Sequence, residues 1–182
     1  MNDTGKLLHR GLMLEYLTLA WNVVGVFIVA FAAWKAHSVA LAGFGLDSLI
    51  EIVASTVVVW ELRGTGKGRE KPALRIISVA FFGLAAYVVL QSSYTLWIRS
   101  HPDTSTIGMV WLTLTFLAML ALAYGKSQTG KALDNDVLKT EGRVTVVDAY
   151  LAGSTLVGLL LNFALHWWWA DPVAALVIVY WH

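Results

Sequence analysis

The sequence predicts an all-α integral membrane protein, a six-transmembrane-helix bundle with both termini cytoplasmic, and three observations carry that prediction. The first is composition. Of 182 residues, 58% are hydrophobic and 14% are charged, whereas a water-soluble domain carries about 45–50% apolar and about 25% charged residues. The excess apolar surface has to face lipid. The second is the spacing of long apolar stretches, and the third is a one-sided distribution of Lys and Arg.

Residues 12–34 form the first span, following a basic head of Lys6, His9 and Arg10. It is too long for the apolar core of a signal peptide, and no small-residue cleavage site follows it, so it is read as a retained helix. The second span is 39–60, the third 76–98 and the fourth 107–124. Breaks at 35–38, 63–72 and 99–103 are rich in charge, Gly or Pro and keep irregular backbone in water. The fifth span is 139–164. The sixth, 168–182, opens at the Trp167-Trp168-Trp169-Ala170-Asp171-Pro172 boundary and offers about 16 residues where a crossing normally takes about 20. It is expected either to end thin or to be clipped. All six belong to a single transmembrane domain, 1–182.

Orientation follows from charge, because cytoplasmic loops collect Lys and Arg. Two lie in the head, five between Arg63 and Arg75, and four from Lys126 to Arg143, against Lys35 and Arg99 alone on the other side. Both termini and the second and fourth loops are thus expected inside, in a cell membrane. Trp34, Trp97, Trp111 and Trp167 to Trp169 outside, with Trp60 inside, read as an interfacial belt. A net charge of +1 and the absence of cysteine argue against nucleic acid partners and exclude disulfides, thiolate metal sites and thiol catalysis. Nor do Ser/His or metalloprotease spacings appear within the spans, so the chain is not read as an enzyme, and no prosthetic group is implied.

Chemistry is carried by acids that lie in apolar sequence. Glu15, Asp47, Glu51 and Asp148 fall inside spans, where an unpaired charge costs about 2.5–3.5 kcal/mol even on the translocon scale. Asp47 and Glu51 are four apart, which puts them on one helix face within about 5–6 Å. Glu51 is nine residues from Trp60 and Asp148 nine from Lys139, so both lie about 13–14 Å from the inner boundary at 1.5 Å per residue. Asp47, Glu51 and Asp148 are therefore expected to converge near the midplane as metal ligands, with the Asn22 amide oxygen offered as a further ligand at similar depth. Ala40, Gly43 and Ala54 on the second span allow close helix approach. Glu141 and Glu15 lie shallower and suit a metal entrance. His37, His101 and His166 fall one in each external loop and are read as solvated polar residues.

The segment 38–51 with Asp47 and Glu51, the segment 141–148 with Glu141, Val144 and Asp148, and the closing tryptophan-rich Asp171-Pro172 stretch resemble the cation diffusion facilitator family along all six spans. In that family, a pair of acids or histidines four apart on the second helix and a His-x-x-x-Asp pair on the fifth form a tetrahedral site. That site exchanges zinc or a similar divalent ion for protons. The resemblance maps the second-helix pair onto Asp47 and Glu51 and the fifth-helix aspartate onto Asp148, while Val144 stands at the histidine position. It also implies a homodimer, and a cytoplasmic metal-binding domain commonly follows the sixth helix; this sequence ends at His182.

The expected function is proton-coupled efflux of a divalent metal ion. Zinc comes first, manganese or iron next, with cobalt and cadmium also in range, because oxygen ligands favour harder ions while zinc outcompetes manganese and iron at most sites. A proton-coupled exporter of organic cations and a non-transporting membrane sensor or scaffold are the alternatives.

Overall fold

The computed structural model describes residues 3–36, 38–64, 68–99, 105–165, 167, 169, 170 and 173. Five α-helices fill them: α1 (Asp3–Ala36), α2 (Val39–Leu62), α3 (Glu70–Ile98), α4 (Thr106–Leu133) and α5 (Asp136–Leu165). Each is long and apolar enough to cross a bilayer. The expected sixth span lies outside the described residues apart from Trp169, Ala170 and Val173.

Polar and small side chains choose the interior. The buried stripe of α1 is centred on Gly11, Glu15, Thr18, Asn22, Gly25, Val29, Ala32 and Ala36, in four- and three-residue steps that keep one seam facing its neighbours, with Leu14 and Ala33 buried beside it. On the opposite face Val24, Phe27, Phe31 and Trp34 are exposed, as a helix bathed in hydrocarbon requires. Where lipid is as apolar as leucine, close packing of small residues and interhelical hydrogen bonds hold helices together. The stripe supplies both.

Helices α1, α2, α5 and α4 form a ring in which each packs on the next, and α3 lies outside it against α2 and α5. The outer face of α3 is correspondingly greasy, with Val79, Phe82, Leu90 and Trp97 exposed. Two apolar clusters close the ring at different heights. Val29, Leu41, Phe44, Leu112 and Ala152 pack at one end, and Val58, Leu62, Ala73, Ile77, Val137, Leu138 and Val144 pack at the other.

The helices outrun the apolar stretches that announce them. The fourth, expected to stop at Tyr124, continues to Leu133, and the fifth begins at Asp136. A loop expected over 125–138 is thus a two-residue turn. Asp134 takes the left-handed conformation at φ 51°, and Asn135 caps α5 by accepting from Leu138 N at 2.8 Å. Asn135 also donates to both carboxylate oxygens of Glu61 at 3.2 Å, which ties the turn to the end of α2. Gly130 permits the tight return, since a Cβ there would meet the Lys139 backbone nitrogen at 2.9 Å. The ammonium of Lys139 lies 2.8 Å from Asp134 and 2.9 Å from Asp136. Its hydrogen bond holds the Asp134 carboxyl below the ordinary aspartate range.

One consequence corrects the charge count. Lys126 is not a loop cation, because it sits within α4 and is fully buried. Trp111, expected in the interfacial belt, is half-buried and stacks on Trp21 with ring centroids 5.0 Å apart. Trp168 lies outside the described residues.

Candidate metal centre

Every acid singled out within a span points inward. Glu15, Asp47, Glu51 and Asp148 are all buried, as are Asn22 and Glu141. They divide into two layers, with Asn22, Asp47, Glu51 and Asp148 in one and Glu15 and Glu141 in the other.

The outer layer, further from the α4–α5 turn, contains Asn22, Asp47, Glu51 and Asp148. Asn22 Nδ2 donates to Glu51 Oε2 at 2.8 Å and to the Thr18 carbonyl at 3.1 Å. That fixes the amide: its nitrogen is spent on Glu51. The carboxyls of Glu51 on α2 and Asp148 on α5 come within hydrogen-bond reach of each other. Asp47 lies one turn from Glu51 on the same face of α2 and is buried with it. Four oxygens have no hydrogen-bond donor: Asp47 Oδ1, Glu51 Oε1 and both carboxylate oxygens of Asp148. Two ionised carboxylates are acceptors only, so contact between them requires a proton or a cation. Among the described residues, no three acids or histidines close around a single point at ligand distance. The contact that is formed is the pair Glu51–Asp148, with Asn22 behind it.

Val144, one turn before Asp148, packs among Ile77, Val137 and Leu138. It faces a groove of about 450 Å³ between α3 and α5, lined by Ile77, Phe82, Arg143 and Val147 among others. Gly43 meets the Gln91 side chain of α3, and Ala54 is buried. The Ala40 side chain lies outside the described residues, as do His37, His101 and His166.

The inner layer holds Glu15 and Glu141, the two shallower acids expected to suit a metal entrance. Glu15 and Glu141 are shut off from solvent, and Lys126 of α4 stands between them. Its Nζ lies 3.2 Å from Glu15 Oε2 and 3.3 Å from Glu141 Oε1, and it donates to Thr145 Oγ1 at 3.1 Å. Ser55 of α2 donates to Glu141 Oε1 at 3.2 Å and is within reach of Glu15. All four helices of the ring meet here. The physical reason is the length of α4: with the chain still helical at Lys126, its side chain projects into the bundle, and the buried ammonium needs carboxylates beside it. Sequence reasoning missed Lys126, Ser55 and Thr145. The signal for the lysine was its register, seven residues after Met119 and fourteen after Leu112, both buried on the same stripe.

A family model described as the cation efflux transmembrane domain matches residues 16–181, which takes in both layers except for Glu15. The chain belongs to the cation efflux family, the cation diffusion facilitators, whose members are membrane transporters of metal cations and not enzymes.

Proposed function

We propose that the protein exports a divalent metal ion in exchange for protons, with Asp47, Glu51 and Asp148 as the carboxylate ligands and Asn22 orienting Glu51. The carrying observation is the approach of Glu51 to Asp148 across α2 and α5 with no donor between them. Such a contact is a place waiting for positive charge. A divalent ion against three carboxylates leaves a charge of about −1, and protons taking its place spare the emptied cluster from mutual repulsion. The same groups thus serve both cargoes, and their titration belongs to the set.

The donors are all oxygen, since Val144 supplies no nitrogen. Manganese and iron are therefore close competitors of zinc, which binds carboxylates at about 2.0–2.2 Å and stands higher in the general order of affinities. Even without Lys126, the Lys and Arg excess at the end carrying the α4–α5 turn supports placing that end in the cytoplasm, with metal entering there and leaving on the other side of a cell membrane. The family resemblance supports a homodimer. Metal entry then passes the inner layer before reaching Glu51 and Asp148.

The test is metal-dependent proton flux in proteoliposomes across Zn, Mn, Fe, Co and Cd. Wild-type protein is expected to move protons against at least one of these ions, and Asp148→Asn none. Undiminished flux in Asp148→Asn would reject the site, and absence of flux in wild type would favour a sensor.

A further inference from the structure

The inner layer has the makings of a cation site already occupied by the protein itself. Glu15, Ser55, Glu141 and Thr145 present only oxygen, all four residues are fully buried, and the ammonium of Lys126 sits among them. The occupant underfills the site. One ammonium faces two carboxyl groups, and Glu15 Oε1 and Glu141 Oε2 are buried without a hydrogen-bond donor. A divalent ion would balance both groups once they are ionised, and carboxylates with hydroxyls form a donor set for such ions.

Location adds to this. Glu15 and Glu141 each precede their outer-layer counterparts Asn22 and Asp148 by seven residues, about 10 Å along a helix. Lys126 reaches across the same axis from α4. An ion travelling between the α4–α5 turn and the outer layer along the centre of the ring meets this ammonium. Lysine is a compact charge on a flexible four-carbon stem, so it can withdraw without a helix moving.

We infer that the inner layer is a second divalent-cation site whose resident occupant is the Lys126 ammonium, and that Lys126 gates the path by being displaced when cargo enters. The inference rests on the export reading above for what the path serves, but not for the existence of the inner site. Lys126 is here a specificity-determining residue: it excludes metal from Glu15 and Glu141 until the ion competes successfully for both carboxylates.

The experiment counts Cd ions bound per purified full-length chain by equilibrium dialysis in detergent. Expected counts are one for wild type, none for Asp148→Asn, two for Lys126→Gln and one again for Lys126→Gln combined with Glu141→Gln. A monodisperse, helical Lys126→Gln protein that binds no more Cd than wild type would overturn the inference. Wild type binding none would sink the outer-layer reading alone, because a single ion gained in Lys126→Gln and lost with Glu141→Gln still supports the inner site. If Lys126→Gln does not fold, Lys126→Arg decides. An arginine fork grips carboxylates more rigidly, so flux is expected to fall at least tenfold with the Cd count unchanged at one, whereas wild-type flux would overturn the gate.

Discussion

Asn22 Nδ2 donates to Glu51 Oε2 at 2.8 Å across the interface of α1 and α2, while Glu51 Oε1 has no donor. One oxygen is held by the protein and the other is left for a ligand. Hydrogen bonds to charged groups contribute about 1.5–3 kcal/mol, so Asn22→Ala should weaken metal binding about tenfold or more. Calorimetric titration of the purified variant checks this; wild-type affinity would show that the amide plays no part in orienting the carboxylate.

Asp148→Asn separates transport from stability. An amide can donate to the Glu51 carboxylate without any proton or cation between them, which relieves the acceptor-to-acceptor contact. The variant should unfold at or above the wild-type temperature in detergent while losing metal-dependent flux. A marked fall in thermal stability would instead make Asp148 a structural partner.

Binding should also be readable as stabilisation. A ligand at 100 times its Kd stabilises the folded state by about 2.7 kcal/mol, so saturating Zn or Mn should raise the unfolding temperature of wild type. Chelation should reverse the rise, and Asp148→Asn should show none. A shift of equal size in that variant would place the ion elsewhere.

Val144 packs one turn from Asp148, and Val144→His would put an imidazole there. Nitrogen ligands suit zinc over manganese, so the ratio of zinc to manganese affinity should rise, by about tenfold if the ring reaches the ion. Competition dialysis measures it. The groove beside Val144 between α3 and α5 gives the ring room to turn.

Asn135→Ala tests the tie between the α4–α5 turn and α2. It removes a helix cap and two hydrogen bonds to Glu61, and losing the cap alone costs about 0.5–2 kcal/mol. The unfolding temperature should drop with metal affinity unchanged, as measured by thermal scanning beside a titration.

The five described spans could be read from apolar runs punctuated by charge, Gly and Pro, and the common depth of Glu51 and Asp148 from their distances to Trp60 and Lys139. Helix ends could not be read this way, because a helix does not stop where hydrophobicity does. Residues 125–130 are small or polar, yet they remain helical since Gly125, Lys126, Thr129 and Gly130 pack inward. Mistaking that stretch for a loop turned Lys126 into a surface charge and left Glu15 and Glu141 without the partner that explains them. A lysine in register with a buried stripe, with two intramembrane acids unaccounted for, was the available clue. The grouping of Asp47 with Glu51 followed from spacing alone, but the spending of the Asn22 nitrogen on Glu51 depends on side-chain orientation that no pattern of residues encodes.

The central claim is that the carboxylates of α2 and α5 grip the transported ion. Anomalous diffraction from zinc-loaded crystals of the wild-type chain tests it most directly. A peak bridging Glu51 and Asp148, at about 2.0–2.2 Å from an oxygen of each, is the predicted result. A saturating ion found elsewhere, with those two carboxyls still in contact, would contradict it.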